Sequence, residues 1–339
     1  MKFCVVGAGA IGGYVGVKLA LGGEDVTFIA RGKNLEAIRA NGMQLYYHDG
    51  THHVARNVKV TDNYAEAGVQ DVVILAMKAH QVEAVADKLG PLIGPDTSIV
   101  TMQNGIPFWY FHKIGNDFEG RKVDTVDPTG KLFNTIPLDR IIGCVVYPAS
   151  ELTQPGVVVH IEGDRFPLGE LDGSTTPRVT AISEAFVRSG LKSPVLDSIR
   201  NEIWLKLWGN LTFNPISALT HATLVDICEY SQGRALATSM MTEAKAVAEK
   251  LGASFRVPLE KRIDGAAKVG KHKTSMLQDV EAGRELEIDA LVGSVVELGK
   301  IANVPTPTID AIYQATKLLN HVIQMDHVRV RAIKEPEVE

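Results

Sequence analysis

The chain has 339 residues, 45% hydrophobic and 22% charged, with a formal net charge of −5 at pH 7. That length exceeds the usual reach of one hydrophobic core, so two domains are expected, and the acidic balance argues against a broad surface for nucleic acid. Cys4, Cys144 and Cys228 stand far apart in an odd number with no metal-ligand spacing, a reduced, intracellular pattern, and with the leader and membrane readings below the protein is expected to be cytoplasmic and soluble.

The N-terminal third alternates β-branched and helical patterns. A strand at Lys2 to Val6 leads to a helix from about Ile11 to Gly22, a strand at Asp25 to Ala30 and a helix near Asn34 to Asn41. A strand at Asp71 to Met77, a helix from Gln81 to Ile93 and a strand at Ser98 to Met102 follow. Such alternation implies right-handed crossovers and a parallel, doubly wound α/β sheet whose ligands collect at the carboxyl ends of the strands. The uncharged run up to Val17 resembles a secretory leader, but six glycines from Gly7 to Gly22 interrupt it, where a leader needs a continuous apolar helix. No other segment is long and apolar enough to cross a bilayer, so no membrane partner is expected. His48, His52 and His53 lie in a Gly/Asp/Thr-rich stretch, read as a solvated loop rather than a metal site.

Between Gly115 and Arg140 periodicity gives way to Gly, Asp, Thr and Pro, which predicts a long surface insertion. Strand patterns return at Ile141 to Tyr147 and Val157 to Ile161, separated by Gln154-Pro155-Gly156. That spacing suggests an antiparallel hairpin closing the sheet edge. A helix from Pro177 to Gly190 and a short strand at Ser193 to Val195 complete the first domain. Beyond it only helical patterns occur, at Ser198 to Thr220, Leu224 to Leu251, Leu259 to Lys271, Ser275 to Glu285, Glu287 to Asn303 and Thr308 to Gln324. Pro215 is expected to kink the first of these. The reading is a dinucleotide-binding domain over 1–197, an all-helical domain over 198–325, and a charged tail over 326–339 that frays.

Gly7-Ala8-Gly9-Ala10-Ile11-Gly12 follows the first strand and opens the first helix, the setting that a dinucleotide fingerprint requires. Gly7 permits the tight turn, Gly9 lets backbone approach a pyrophosphate, and Gly12 lets helix pack closely on strand. The second strand ends at Ala30-Arg31, where an NAD site would carry a carboxylate for the ribose hydroxyls. Arginine there suits a 2′-phosphate and favours NADP, the plain alternative being a solvated side chain. Lys78 closes Val72-Val-Ile-Leu-Ala-Met77 as a second cation, and Asn104 ends a later strand at Gln103-Asn104-Gly105, a segment that also reads as an Asn-Gly turn. Phe108 to Phe111, four consecutive aromatics, are a pocket wall or core.

In the helical half, Lys206, Asn210 and Asn214 recur every fourth residue among Trp204, Trp208, Leu211 and Phe213. On a helix they form one polar stripe. An ammonium and two carboxamides on an apolar helix cost desolvation energy unless paired, and a small polar anion is the natural partner. The competing reading has the lysine extending to solvent and the asparagines bonding locally. Ser275 reads as a helix N-cap, Asp279 as a solvated carboxylate and Glu287 as a further cap.

Taken together, GAGAIG, Arg31, Leu-Ala-Met-Lys78, Gln103-Asn-Gly, Lys206 with Asn210 and Asn214-Pro, Ser275-Met-Leu-Gln-Asp and Glu287-Ile-Asp resemble the ketopantoate reductase family over residues 1 to 324. The resemblance implies a Rossmann-like domain joined to a helical one, with NADP(H) as cofactor and reduction of 2-dehydropantoate, a small 2-oxo acid, to pantoate for coenzyme A synthesis. It implies cofactor contacts at Gly7, Ala8, Gly9, Ala10, Ile11, Gly12, Arg31, Lys78, Asn104 and Ala149. Lys206 would be the proton donor and Glu287 its catalytic partner, with Asn210, Asn214 and Ser275 binding substrate. Lysine, which ordinarily titrates near about 10.4, can both stabilise the developing alkoxide and protonate it.

The sequence departs from the family in three places. Asn104-Gly-Ile-Pro107 stands where many members have Asn-Gly-x-Gly, the Gly115 to Arg140 insertion is long, and Leu224 replaces a substrate-contacting asparagine of some members. A related reductase or dehydrogenase for another 2-oxo or hydroxy acid stays open, as does a non-enzymatic NADP-binding redox sensor. Assembly as a homodimer is compatible with the sequence.

Overall fold

Strand β1 (Lys2–Val6) is buried from Phe3 onward, the near-continuous apolar run of a strand covered on both faces. In the computed structural model, which describes residues 1–332, it lies inside a seven-stranded sheet with β2 (Asp25–Ile29), β5 (Lys59–Thr61), β6 (Gln70–Leu75), β7 (Ile93–Thr101), β8 (Ile141–Cys144) and β11 (Leu168–Gly169). The order is β11-β8-β7-β6-β1-β2-β5. All neighbours pair in parallel except β11, which runs antiparallel to β8. The doubly wound α/β sheet is thus present, and order reverses direction beside β1, the place where such sheets take ligands.

A second sheet, β4-β3-β10-β9, was not anticipated. Its strands are β3 (Met43–Tyr46), β4 (His52–Ala55), β9 (Ala149–Gln154) and β10 (Val157–Glu162). His52 and His53 therefore belong to a strand rather than a loop, with His52 stacked on Tyr46 at 4.0 Å. The expected hairpin is also corrected: β10 pairs antiparallel with β9 and parallel with β3, whereas β8 stays in the large sheet. Pairing of β3 with β10 joins segments more than a hundred residues apart, which no local pattern announces.

Helix α1 (Ala10–Leu21) explains why both sheets are needed. It is buried over most of its surface, as a helix apolar all round must be. A side chain on Gly16 would strike Phe28 of the large sheet, and one on Gly13 would strike Met43 and Val158 of the small one. Each glycine costs helix stability of up to about 1 kcal/mol, and each permits contact on a different face.

Other expectations are adjusted by backbone chemistry. The helix expected from Gln81 to Ile93 is a series of short 3₁₀ turns ending at Leu92, and Pro91, which has no N–H to donate, stands in the last of them. The stretch from Ser193 to Val195 makes only isolated bridges. The segment 115–140 is not merely superficial: Val123, Asp127, Leu132 and Ile136 are buried. Asp127 accepts the N–H groups of Leu132 (3.0 Å) and Phe133 (2.9 Å) at the start of α4 (Lys131–Thr135). Two further helices, α2 (Gly32–Asn41) and α3 (Tyr64–Ala67), precede it, and α5 (Pro177–Arg188) follows.

Two compact units emerge among the described residues, one comprising Met1–Asn104, Phe108–Lys122 and Asp127–Arg200, the other Gly105–Pro107, Val123–Val126 and residues 201–332. Among the described residues every regular element from Ile199 onward is helical: α6 (Ile199–Thr220), α7 (Leu224–Glu229), α8 (Ser231–Lys250), α9 (Leu259–Lys268), α10 (Ser275–Ala282), α11 (Ser294–Ala302) and α12 (Pro307–Asp326). Pro215 sits inside α6, which runs on to Thr220. The helix expected from Leu224 to Leu251 is two, divided at the extended residue Tyr230. Gly233 packs so closely on the Ile227 carbonyl that a Cβ would lie 2.7 Å from it, a contact that a straight helix could not make. Residues 333–339 of the expected frayed tail lie outside the described residues, and no helix among those described is long and apolar enough to cross a membrane.

Candidate active site

Four neighbouring strands of the large sheet end level. The register sets Val6 beside both Ile29 and Leu75, and Leu75 beside Thr101. The ladder runs one step further through the N–H groups of Gly7 to Ile29 (3.2 Å), Ala76 to Val6 (3.0 Å) and Met102 to Leu75 (3.1 Å). Gly7, Arg31, Lys78 and Asn104 consequently leave the sheet at one edge, on strands ordered β7, β6, β1, β2. At about 4.8 Å per strand spacing that edge spans roughly 14 Å, a length that suits a dinucleotide laid across it.

The glycines divide the work as their positions require. Gly7 adopts φ +103°, the left-handed region open to glycine. At Gly9 a Cβ would meet nothing within 4 Å, so the backbone there stands beside open space. Gly12 packs against the Gly7 carbonyl too tightly for any side chain. The first turn of α1 has no side-chain cap and no acidic residue, leaving its N–H groups and dipole suited to an anion. Arg31 is exposed at the end of β2 and Lys78 half-buried beyond β6. These features fit a phosphate-bearing nicotinamide dinucleotide.

Two supporting residues had no assigned role in the sequence reading. The Gln103 Nε2 donates to the carbonyls of Leu75 (2.7 Å) and Met77 (3.1 Å), tying the end of β7 to the turn that carries Lys78. Asn34 of α2 bonds the Ala8 carbonyl at 2.7 Å. Ala149 lies apart from the other cofactor candidates as the first residue of β9, a strand that packs on α1. Phe108 to Phe111 are buried, with the Trp109 Nε1 donating to Thr101 Oγ1 at 3.0 Å.

In the helical unit, Lys206, Asn210 and Asn214 share one face of α6, the first two half-buried and Asn214 buried. The opposite side is held by Trp204 and Trp208, both fully buried, with the Trp208 Nε1 donating to the Met241 carbonyl at 2.7 Å. One turn before Lys206, the buried carboxylate of Glu202 pairs with Arg256 at 2.6 Å. These contacts fix the rotation of α6 and so the direction of its polar stripe.

Ser275 and Glu287 belong to other elements of the same unit. Ser275 is exposed and is not the N-cap: Thr274 has the extended backbone, and its Oγ1 accepts the Leu277 N–H at 3.2 Å. Asp279 is buried rather than solvated and accepts from Arg284 Nε at 2.7 Å. Half-buried Glu287 precedes a π-helical turn at Asp289–Gly293 that periodicity did not reveal. Gly293 lacks space for a Cβ against Tyr313, whose hydroxyl donates to Asp289 at 2.7 Å. Burial first, then Asp289, pushes the Tyr313 phenol well above its ordinary range. The Ile106 N–H donates to the Ala290 carbonyl within that turn at 3.0 Å, and such turns recur at functional sites.

The sequence matches the family described as Ketopantoate reductase PanE/ApbA over residues 3–173 and its C-terminal part over residues 198–320. The chain belongs to the ketopantoate reductase family. It is 52% identical over 320 residues to a 2-dehydropantoate 2-reductase of Mesorhizobium japonicum, covering 94% of this chain and 98% of the relative. A crystal structure from Ralstonia solanacearum MolK2, described as a candidate ketopantoate reductase, is similar at a TM-score of 0.90 and 40% identity, covering 95% of this chain and 98% of that one. A 2-dehydropantoate 2-reductase from Methylococcus capsulatus is similar at a TM-score of 0.80 and 27% identity, with the same two coverages. As a ketopantoate reductase family member the chain is an oxidoreductase that works with a nicotinamide cofactor.

Proposed function

We propose that this chain is an NADPH-dependent 2-dehydropantoate 2-reductase with Lys206 as its proton donor. The 52% identity over nearly the whole of both chains to a 2-dehydropantoate 2-reductase carries the reading. Support for NADPH over NADH comes from Arg31 at the end of β2, where no carboxylate stands to bond ribose hydroxyls. When bound, the reduced nicotinamide supplies a hydride to the C2 carbonyl carbon.

As that carbon–hydrogen bond forms, the carbonyl π electrons move onto oxygen. Lys206 stabilises the resulting negative charge through its ammonium and transfers one proton to the oxygen, completing the hydroxyl. Asn210, Asn214 and Ser275 hold the substrate carboxylate and hydroxyl, and Glu287 orients the lysine or accepts from a substrate hydroxyl. Gly7 to Gly12, Lys78, Asn104 and Ala149 hold the cofactor. The division into a cofactor domain over 1–197 and a catalytic one over 198–325, a cytoplasmic location and a homodimer are parts of the same proposal.

The test is oxidation of NADPH with 2-dehydropantoate and a panel of other 2-oxo acids. Wild type should prefer 2-dehydropantoate, and Lys206→Ala should lose roughly 10²- to 10⁴-fold in kcat while still binding NADPH. Unchanged turnover in that variant overturns the proton donor. Leu224, apolar at the first position of α7, favours a second reading in which a more apolar 2-oxo acid is preferred. A higher kcat/KM for such an acid in the same panel selects that reading.

A further inference from the structure

Asn34, the third residue of α2, joins separate parts of the first unit through one carboxamide. Its Nδ2 donates to the Ala8 carbonyl at 2.7 Å, and its Oδ1 accepts the Gly156 N–H at 2.7 Å. Ala8 lies in the glycine turn, and Gly156 forms the turn between β9 and β10 at φ +74°. The Gly156 carbonyl in turn accepts the Gln44 N–H of β3 at 2.8 Å. A Cβ on Gly156 would stand 3.3 Å from that of Ala37, so the turn rests directly on α2.

The bond to Ala8 constrains the next N–H group. In a trans peptide the C=O and N–H point in opposite directions. Holding the Ala8 carbonyl toward α2 therefore turns the Gly9 N–H away from α2. Open space lies against this same residue, where a Cβ would meet nothing within 4 Å. Gly9 is also the N-cap of α1, and a backbone N–H presented at a helix N-terminus is a phosphate donor.

We propose that Asn34 is a positioning residue for the cofactor pyrophosphate, holding the Ala8–Gly9 peptide so that the Gly9 N–H meets the phosphates and tying that orientation to the β9–β10 turn. The proposal rests on the nicotinamide dinucleotide assignment and concerns the part of that molecule shared by NADPH and NADH. Neither the glycine pattern nor the spacing of α2 assigns this role to residue 34. It follows from the two bonds and the geometry of the peptide.

Full-length Asn34→Ala and Asn34→Asp are compared with wild type for NADPH KM, kcat at saturating NADPH, and melting temperature. Asn34→Ala removes both bonds and should raise the NADPH KM about tenfold, with kcat within about twofold. Asn34→Asp keeps an acceptor for the Gly156 N–H but sets a carboxylate against the Ala8 carbonyl. It should melt closer to wild type than Asn34→Ala while raising the NADPH KM further. An NADPH KM within twofold of wild type in Asn34→Ala overturns the proposal, even if Asn34→Asp is impaired, because charge alone would explain the latter. A fall in kcat and melting temperature with unchanged KM also overturns it, since that is a purely structural loss. Failure of the underlying cofactor assignment looks different: wild type would then oxidise neither NADPH nor NADH with any 2-oxo acid, and the proposal would fall with it.

Discussion

Gly12 and Gly7 meet so closely that a Cβ on Gly12 would lie 2.0 Å from the Gly7 carbonyl oxygen. Val5 and Ala76 would stand 3.0 Å away on other sides, so the clash cannot be relieved by moving one flexible side chain. Gly12→Ala should therefore destabilise the protein by about 1–3 kcal/mol or more through overpacking, and it should displace the turn proposed to hold the cofactor phosphates. At Gly9 the same change meets open space, and φ there is −84°. Gly9→Ala should keep stability within about 1 kcal/mol yet raise the NADPH KM, because the methyl group would occupy the proposed phosphate approach. Thermal melts and cofactor titrations of the two variants check this contrast. Equal melting temperatures would contradict it.

Adjacent residues at the start of α10 should separate in the same manner. Thr274 caps the helix and is buried, whereas Ser275 is exposed. Thr274→Ala should cost about 0.5–2 kcal/mol of stability. Ser275→Ala should leave the denaturation midpoint in place and raise the KM for the 2-oxo acid several-fold. A destabilised Ser275→Ala with unchanged KM would return the capping role to Ser275 and remove it from the substrate set.

How far the sequence was legible depended on whether a signal was local. The glycine turn, Arg31, Asn104 and the stripe from Lys206 to Asn214 are patterns within a few residues, and the helical character beyond Ile199 follows from periodicity, although the break at Tyr230 and the π turn do not. Thr274 and Ser275 are both good caps, so only backbone geometry could choose between them. Met43 to Tyr46 does alternate, with Met43 and Leu45 buried, but four residues flanked by Gly, Asp and His give little to distinguish strand from loop. Its partner β10 is remote in sequence, so the small sheet depends on contacts that no window contains. The π turn after Glu287 likewise reflects how Tyr313 packs on Gly293. Asn34 is half-buried on an otherwise ordinary amphipathic helix, and its partners Ala8 and Gly156 are invisible to helical periodicity.

Cys4 lies within β1 at no measurable exposure, and burial pushes its thiol up to about 12 from an ordinary 9.0. The sign of the pH effect follows from proton counts. Between pH 9 and 12 the unfolded chain releases this proton while the folded chain retains it, so stability is fully present below pH 9 and falls as pH rises toward 12, by at most about 1.4 kcal/mol per unit. Cys144 and Cys228 are also buried thiols. Native protein at neutral pH should resist a thiol reagent over minutes, and denatured protein should titrate three thiols. A thiol that reacts rapidly in the native state, or stability that rises from pH 9 to 11 in a Cys4-dependent way, would contradict the assigned burial.

The choice between the two nicotinamide cofactors should rest on Arg31. Its guanidinium is exposed at the end of β2 and precedes α2, so it can form charge-assisted bonds with a 2′-phosphate. Such bonds contribute roughly 1.5–3 kcal/mol where water is excluded, and exposure at this position places the effect toward the lower end. Arg31→Ala should raise the NADPH KM by about ten- to thirtyfold, with kcat at saturation changed little. The NADH KM should stay within about twofold, because NADH offers only hydroxyls at that ribose. Added salt should weaken NADPH binding to wild type more than to the variant, as screening requires. Steady-state kinetics with both cofactors at two ionic strengths measures all of these together. An equal loss for NADPH and NADH would mean that Arg31 supports the fold of the turn or the pyrophosphate, and the 2′-phosphate contact would pass to Lys78 or another cation at the same edge.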